Sequence, residues 1–203
     1  MSVTLRLMDK SDLNDVLEIS TLSLKESWSL DSFSKELTNP LAKYIVAKNE
    51  ETHEKLSKMI GNKEVERRYL AITTGVIKTD TGTIDAPIGR DQRNRLKMQV
   101  TDVNAKEAIT HFKVLKRYKA NTLIECILET GRTHQIRVHL AYINYPIVND
   151  PLYGKEKNCT EFGQMLHSKS IRFNHPRTNK ELYFEVEPPK EFKEKLEELE
   201  NEE

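Results

Sequence analysis

Apolar and polar residues alternate through most of the middle of this chain, whereas helical spacing is confined mainly to its two ends. Alternation predicts strands with one buried face, and apolar residues three and four apart predict helices. Both patterns occur in short pieces near the N-terminus. We predict a strand over 3–7, a helix begun by Ser11, a helix begun by Ser29 and ended at Asn39-Pro40, a strand over 44–47 and a helix over 49–60.

From residue 64 onward the pattern is mainly that of strands. Residues 107–118 and 122–130 alternate on either side of Lys119-Ala120-Asn121, which predicts an antiparallel pair of half-buried strands. The other predicted elements are strands over 64–74, 95–101, 166–173 and 181–187, a turn over 79–83, and helices over 133–143 and after Pro189. This order predicts an α+β fold, with a mixed, mainly antiparallel sheet and flanking helices, preceded by a short strand–helix–helix piece.

Composition excludes several classes of protein. The chain has 203 residues, 37% hydrophobic and 32% charged, which is enough for a globular protein with a sizeable core. No apolar run approaches the roughly 20 residues that cross a membrane, and the N-terminus lacks the apolar stretch of a secretory signal. Cys126 and Cys159 are the only cysteines, so a disulfide scaffold and paired zinc ligands are both absent. We expect a cytoplasmic protein without metal or membrane contact.

The net charge of zero hides an uneven distribution. Residues 1–46 carry five basic and seven acidic groups, a net charge of −2, and residues 190–203 carry three lysines and seven glutamates, a net charge of −4. The segment 47–189 is therefore +6. A basic middle is compatible with RNA binding and equally with ordinary solvated surfaces.

Polar chemistry is concentrated in the segment Gly131-Arg132-Thr133-His134-Gln135-Ile136-Arg137-Val138-His139-Leu140. It contains two arginines, two histidines and a glutamine directly after an apolar strand. His134 and His139 are five residues apart and lack the spacing of zinc-protease ligands. We expect both histidines to form hydrogen bonds and not to bind metal.

A second concentration is basic. Arg90, Arg93, Arg95 and Lys97 follow one another with only Asp91 as an acidic interruption. Such a cluster suits contacts to RNA phosphates, which set affinity and position but not base choice. A solvated basic loop is the alternative.

The segment 131–140 resembles the motif that closes the active site of the RluA-like family of RNA pseudouridine synthases. The resemblance covers about residues 44–190. Its motifs stand in the family's order: YIVAKNEETHEKLSKMIGNKEVERRYLAITTG, IDAPIGRDQRNRLKMQV, GRTHQIRVHL and LHSKSIRFNHPRTNKELYFEVEPPKEF. Within them, Arg68-Tyr69-Leu70-Ala71 resembles a Lys/Arg-x-Tyr-x-Ala pattern in residue type, and His175-Pro176 matches a His-Pro pair of the closing strands.

This resemblance implies an isomerase that converts uridine to pseudouridine in ribosomal or transfer RNA without any cofactor. In the family an aspartate attacks the nucleoside, the glycosidic bond breaks, and the base is rejoined through carbon. The target nucleotide is flipped out of its stack. Tyr69 matches the tyrosine that packs against the flipped base, with an ordinary core aromatic as the alternative. Arg132 matches the arginine that pairs with the catalytic aspartate, and Ile136 is expected to form the floor of the pocket.

The residues that we predict to bind RNA are basic or polar side chains of these motifs. They are Arg67, Arg68, Arg90, Arg93, Arg95, Lys97, His134, Gln135 and Arg137.

The resemblance also exposes a gap. Full-length relatives carry a motif such as His-Arg-Leu-Asp-Arg-x-Thr-Ser-Gly just before the strand that Val46-Ala47-Lys48 matches, and its aspartate is the nucleophile. Residues 37–45 read LTNPLAKYI and contain no aspartate. Asp15 and Asp31 lie upstream in helical patterns of another kind. The sequence therefore predicts a synthase domain without its nucleophile, impaired in activity.

Residues 1–46 resemble another family, the opening of a GNAT-type N-acetyltransferase of the ribosomal-protein-alanine kind. The parallels are the first strand, the helix start around Asp12, the turn Trp28-Ser29 and the pair Asn39-Pro40. No glycine-rich loop for acetyl-CoA follows, so acetyl transfer is not expected. A fusion of the two families at the strand 44–48 explains why both the aspartate motif and the acetyl-CoA loop are missing. The alternative is that residues 1–46 are unrelated sequence with a helical pattern.

These resemblances predict three parts: an acetyltransferase-like segment over 1–46, a partial synthase domain over 47–190 and an acidic helix or tail over 191–203. Three functions stay open: an RNA pseudouridine synthase, a non-catalytic RNA-binding module and an inactive fusion product. A synthase sheet without its first strands has an unpaired edge, and such edges favour self-association. RNA is the expected partner in the first two cases.

Overall fold

The computed structural model describes residues 5–17, 29–30, 34, 45–47, 50–155 and 158–202. Most of the helix predicted to begin at Ser29 lies outside these residues. In chain order the elements are β1 Leu5–Leu7, a 3-10 turn Lys10–Asp12, β2 Ile45–Ala47, α1 Glu50–Gly61, β3 Glu66–Thr74, β4 Thr81–Asp85, β5 Ile88–Arg90, β6 Met98–Val100, β7 Ile109–Arg117, β8 Asn121–Leu128, α2 Gln135–Tyr142, β9 Leu166–Asn174, β10 Glu181–Glu185 and α3 Lys190–Asn201.

The chain forms two compact units. The first comprises residues 1–58 with 175–179, and the second comprises 59–174 with 180–203. The domain boundaries predicted at 46 and 190 concern family resemblance and stay predictions.

In the first unit β1 pairs antiparallel with β2. The turn after β1 is capped by Asp9, whose carboxylate accepts the Ser11 N–H at 2.8 Å, while the Asp9 N–H donates to Asp12 at 3.0 Å. The prediction of Ser11 as the cap was wrong, because the stronger acceptor two residues earlier takes that N–H.

The second unit is built on a six-stranded antiparallel sheet with the strand order β10-β9-β3-β8-β7-β4. Tyr69 on β3 lies opposite Cys126 on β8, and Phe112 on β7 lies opposite the other side of Cys126. The antiparallel pair predicted around Lys119-Ala120-Asn121 is therefore confirmed. The α+β class with a mainly antiparallel sheet is confirmed as well.

Helices cover both faces of this sheet. On one face α2 is joined to β7, since His139 hydrogen-bonds to Thr110 at 2.9 Å. On the other face the Phe192 ring of α3 packs against His167 of β9, with centroids 6.3 Å apart. The strand registers place Thr110 and His167 on opposite faces, so the sheet is the middle of three layers.

Two strands, β4 and β5, were missed by the predictions, and two predicted elements are shorter than expected. The predicted turn over 79–83 ends at Asp80, because Thr81 begins a strand that pairs with β7. The predicted strand over 95–101 shrinks to β6, because Asp91 folds the preceding residues into a turn. Of the two missed strands, β4 pairs with β7, and β5 pairs with β6 to form a small hairpin.

No helix in the described residues is long and apolar enough to span a lipid bilayer.

The C-terminal helix is part of the core of the second unit. Phe192 is fully buried and Leu199 is 2% exposed, within the same hydrophobic cluster as Ile72, Ile124 and Leu140. The acidic residues of α3 lie on the other side of the helix, so it is amphipathic. The sheet needs this helix to bury one of its faces.

We predict that Phe192→Ala lowers the free energy of unfolding by about 3–5 kcal/mol, because it leaves a cavity under α3. Urea unfolding followed by circular dichroism measures this loss. The exposed neighbour Glu197→Ala is the control and should change stability by less than about 0.5 kcal/mol. Equal effects of the two substitutions would show that α3 is not docked.

Candidate active site and nucleic-acid interface

The turn that joins β8 to α2 is held by one buried glutamine. The Gln135 Oε1 atom accepts the Thr130 hydroxyl at 2.7 Å and the Arg132 N–H at 2.9 Å. Its Nε2 group donates to the Ile109 carbonyl and to the Thr110 hydroxyl, both at 3.0 Å. All of these bonds are made inside the protein, so Gln135 positions Arg132. Its predicted role as an RNA contact stays untested, and this geometry gives no support for it.

A buried histidine extends the same network. His139 Nε2–H donates to the Ala86 carbonyl at 2.9 Å, which leaves Nδ1 to accept from the Thr110 hydroxyl at 2.9 Å. Burial lowers the pKa of His139, so the neutral ring that this pattern requires is favoured. His139 is therefore a hydrogen-bonding residue in the present geometry, and it ties α2 to β7.

Arg137, which lies between Gln135 and His139 in the sequence, forms a buried ion pair. Arg137 donates from Nε and Nη2 to the two carboxylate oxygens of Asp150, at 2.8 and 2.7 Å. The Asp150 Oδ1 atom also accepts the N–H groups of Leu152 and Tyr153. The guanidinium is thus neutralised within the protein, and its predicted contact to RNA is untested and unsupported by the geometry.

Asp150 was not predicted as a site residue from the sequence. Burial raises the pKa of this carboxyl, but the Arg137 hydrogen bond, the two backbone N–H donors and the Arg137 charge lower it more. The sequence feature that could have identified Asp150 is its position in Asn149-Asp150-Pro151, directly after Ile147 and Val148, which are buried. A charged residue beside a core strand requires a partner of opposite charge.

Arg132 lies at the surface end of this turn and is half-buried. Its Nε–H donates to the Glu107 carbonyl at 2.8 Å. In the described part of the chain no carboxylate lies within ion-pair distance of it, and its two Nη groups have no hydrogen-bond partner. The guanidinium is therefore oriented by the protein and still has donors available for an anion.

Tyr69 is half-buried in the middle of the sheet and packs against the main hydrophobic cluster. Ile136 is 4% exposed within that cluster. Their predicted roles against the flipped base and at the pocket floor stay predictions, since a core role accounts for the packing of both residues.

Arg67 and Arg68 precede Tyr69 on β3 and have different surroundings. Arg68 is paired with Glu66 at 2.9 Å and with Glu125 at 2.7 Å. Arg67 lies against Gly131, where an added Cβ would stand 2.5 Å from its Nη1 atom. The Nε and Nη2 atoms of Arg67 are buried without a partner. Arg67 fills the space beside Gly131, so a side chain at position 131 would require the Arg67 guanidinium to move.

The basic cluster occupies the turn between β5 and β6. Asp91 accepts the N–H groups of Arg93 and Asn94 at 2.7 and 3.1 Å, and Arg90 Nη1 donates to the Arg95 carbonyl at 2.8 Å. The two backbone hydrogen bonds from Arg93 and Asn94 lower the pKa of Asp91, together with the Arg93 and Lys97 charges. The turn is thus held by its own hydrogen bonds, with the side chains of Arg93 and Arg95 exposed to solvent. We call residues 88–100 the basic hairpin.

Tyr153 connects this hairpin to α2. Its hydroxyl accepts the Met98 N–H at 2.8 Å and lies 3.0 Å from His134 Nδ1. Burial and the Arg137 charge lower the pKa of His134, which favours the neutral ring, and with Nδ1 unprotonated the Tyr153 hydroxyl donates a hydrogen bond to it. His134 begins α2 with a left-handed φ of 57°. The hairpin and the turn at Arg132 therefore share one anchor, which the sequence did not indicate.

Metal binding has no support in the described residues, which contain no group of three or more His, Cys, Asp or Glu side chains suited to an ion.

Comparisons with known proteins identify the family of this region. Residues 44–142, which contain Tyr69 and Arg132, match the family model described as RNA pseudouridylate synthase. This match confirms the family that the motifs predicted.

Two curated relatives illustrate the match. The chain is 50% identical over 155 residues to the RNA pseudouridine synthase YlyB of Bacillus subtilis, covering 76% of this chain and 51% of the relative. It is 43% identical over 161 residues to the ribosomal large subunit pseudouridine synthase D of Pseudomonas aeruginosa, covering 73% of this chain and 50% of the relative. The chain therefore spans about half the length of these relatives.

Solved structures show the same fold. The human RNA pseudouridylate synthase domain containing 1 superimposes with a TM-score of 0.64 at 26% identity, covering 73% of this chain and 64% of that chain. The human RNA pseudouridylate synthase domain containing 4 superimposes with a TM-score of 0.64 at 22% identity, covering 78% and 71%, and supports the fold alone.

We predict that Asp150→Asn lowers the free energy of unfolding at neutral pH by about 3–5 kcal/mol, because it leaves Arg137 buried and unpaired. The folded-state pKa of Asp150 is lowered, so its contribution is present above the unfolded pKa and is lost as pH falls through the folded pKa. The difference in free energy of unfolding between the wild type and Asp150→Asn should therefore become smaller at acidic pH.

Urea unfolding at neutral and acidic pH measures this difference. The control is Asp80→Asn, which removes an exposed pair with Arg117 and should cost less than about 1 kcal/mol. A loss at Asp150 that is the same at every pH would contradict the ion-pair explanation.

Proposed function

We propose that the chain is an RNA-binding domain of a pseudouridine synthase, built to isomerise uridine in ribosomal or transfer RNA. The observation that carries this proposal is the family match over 44–142, which includes both Tyr69 and the turn at Arg132. The relative from Pseudomonas aeruginosa is named for the large ribosomal subunit, which favours ribosomal RNA as the substrate.

The site contributes binding and orientation to this reaction. The Arg132 Nε–H donates to the backbone carbonyl of Glu107, so the Nη edge of the guanidinium is presented in a fixed direction. Such an edge binds a carboxylate with two parallel hydrogen bonds and keeps it ionised. Tyr69 lies on the strand beside this turn and supplies an aromatic face for the target base.

The nucleophile is the part that this chain does not supply in its described residues. No carboxylate there lies within ion-pair distance of Arg132, and residues 37–45 contain no aspartate. We infer that isomerisation needs an aspartate that the described residues do not supply. The same observation favours a second candidate function, a non-catalytic RNA-binding module that keeps the basic hairpin. If the chain does not bind RNA, the remaining candidate is an inactive fusion product.

Three further statements belong to this proposal. The acetyltransferase-like origin of residues 1–46, a cytoplasmic location and self-association through the sheet edge are inferences from the sequence. β4 and β10 are the terminal strands of the six-stranded sheet and are the edges at which a second copy would pair.

We predict that the purified chain forms no pseudouridine in unmodified ribosomal RNA, because none of the described carboxylates lies within ion-pair distance of Arg132. Carbodiimide labelling followed by mass spectrometry detects the product. Turnover that Arg132→Met abolishes would place a nucleophile within the chain and contradict the missing-aspartate part of the proposal. The same result would support synthase activity.

We predict that the chain binds RNA in a salt-dependent way through the basic hairpin. Alanine at Arg93, Arg95 and Lys97 should lower the slope of log K against log salt by about one for each lost phosphate contact. Fluorescence anisotropy with labelled ribosomal RNA fragments measures the slope. Lys113→Ala, an exposed lysine on the sheet face opposite α2, is the control, and an unchanged slope in the hairpin variants would remove the hairpin from the interface.

A further inference from the structure

We propose that a hollow beside the basic hairpin binds one unpaired nucleotide of the RNA. This inference rests on the proposed function. The hollow has a volume of about 240 Å³ and is lined by Arg90, Asp91, Gln92, Arg95, Val103 and Asn104. Ligand pockets for drug-sized molecules begin at about 300 Å³, so this hollow suits one nucleoside and is too small for a folded partner.

The wall of the hollow is held rigidly by backbone packing. At Gly89 an added Cβ would lie 2.7 Å from Thr101 Cγ2 and 2.9 Å from the Val103 carbonyl, so the turn after β6 approaches the hairpin as closely as glycine allows. The Thr101 hydroxyl accepts the Val103 N–H at 3.2 Å. Asn104 has a φ of 49°, in the left-handed region that asparagine tolerates better than most residues. The turn is therefore fixed without using the Asn104 amide.

The lining groups are those that a nucleobase needs. Val103 is 55% exposed and offers an apolar surface to the face of a base. The side-chain amides of Gln92 and Asn104 have no hydrogen-bond partner among the described residues, and each offers a donor beside an acceptor. The edges of nucleobases present the same combination, which is how asparagine and glutamine discriminate between bases.

Charge decides how the nucleotide is oriented. The Arg95 guanidinium is exposed without a partner in the described chain, whereas the Arg95 carbonyl is used by Arg90. Asp91 is ionised and committed to the N–H groups of Arg93 and Asn94. Its negative charge disfavours a phosphate deep in the hollow. The base therefore enters, and its phosphate stays outside at Arg95.

The test separates base recognition from phosphate binding. The full chain is titrated with labelled single-stranded homopolymers of uridine, adenosine, cytidine and guanosine, and the ranking of affinities is compared with that of Asn104→Gly. Glycine keeps the positive φ and removes only the amide. We expect the wild type to prefer one or two of the homopolymers and the variant to lose this preference by about five- to tenfold, with an unchanged salt slope.

Two further variants and one control complete the experiment. Val103→Ser should weaken binding of the preferred homopolymer, and Arg95→Ala should lower the salt slope while keeping the ranking. Asn144→Gly is the matched control, because Asn144 is an exposed asparagine with a φ of 68° outside the hollow.

The outcomes distinguish the two proposals. The proposal that the hollow binds a nucleotide is overturned if the wild type binds all homopolymers equally. It is also overturned if Asn104→Gly and Val103→Ser both leave the ranking of affinities unchanged. Neither result contradicts RNA binding by the chain. A wild-type chain that binds no RNA at all contradicts the proposed function and this inference with it.

Discussion

The buried ion pair between Arg137 and Asp150 is the interaction on which the arrangement of the candidate site depends. Two charges removed from water are tolerated only when they satisfy each other, and here the pairing is bidentate with two additional backbone donors. The pair fixes the turn that carries Tyr153. That tyrosine in turn holds the start of β6 and the ring of His134. The position of the basic hairpin relative to α2 follows from one carboxylate.

The polar residues of the segment 131–140 are therefore divided between scaffold and surface. Gln135, Arg137 and His139 point inward and form hydrogen bonds with buried partners in neighbouring segments, so they hold the turn in place. Arg132 is the member that keeps donors available toward solvent. A site in which buried polar groups support one exposed guanidinium is typical of functional geometry, because the exposed group is oriented without being neutralised.

The described residues leave the Arg132 guanidinium without a carboxylate within ion-pair distance. Under the proposed function, a carboxylate opposite Arg132 is the group that isomerisation still requires. The remaining parts are an oriented guanidinium, an aromatic strand residue and the basic hairpin, to which the proposed function assigns RNA binding. These parts do not by themselves break a glycosidic bond.

The sequence by itself determined the family, the α+β class and most of the strands, because those follow from local alternation and from motifs read in order. The β7–β8 pair could be predicted from its residues alone, since each strand alternates and a short polar turn joins them. Only the tertiary structure decided which polar residues of the motif face inward. Arg137 and Arg93 are equally basic in the sequence, yet the first meets a buried carboxylate 13 residues away and the second meets solvent. Burial depends on contacts between distant segments, and local pattern carries no information about them.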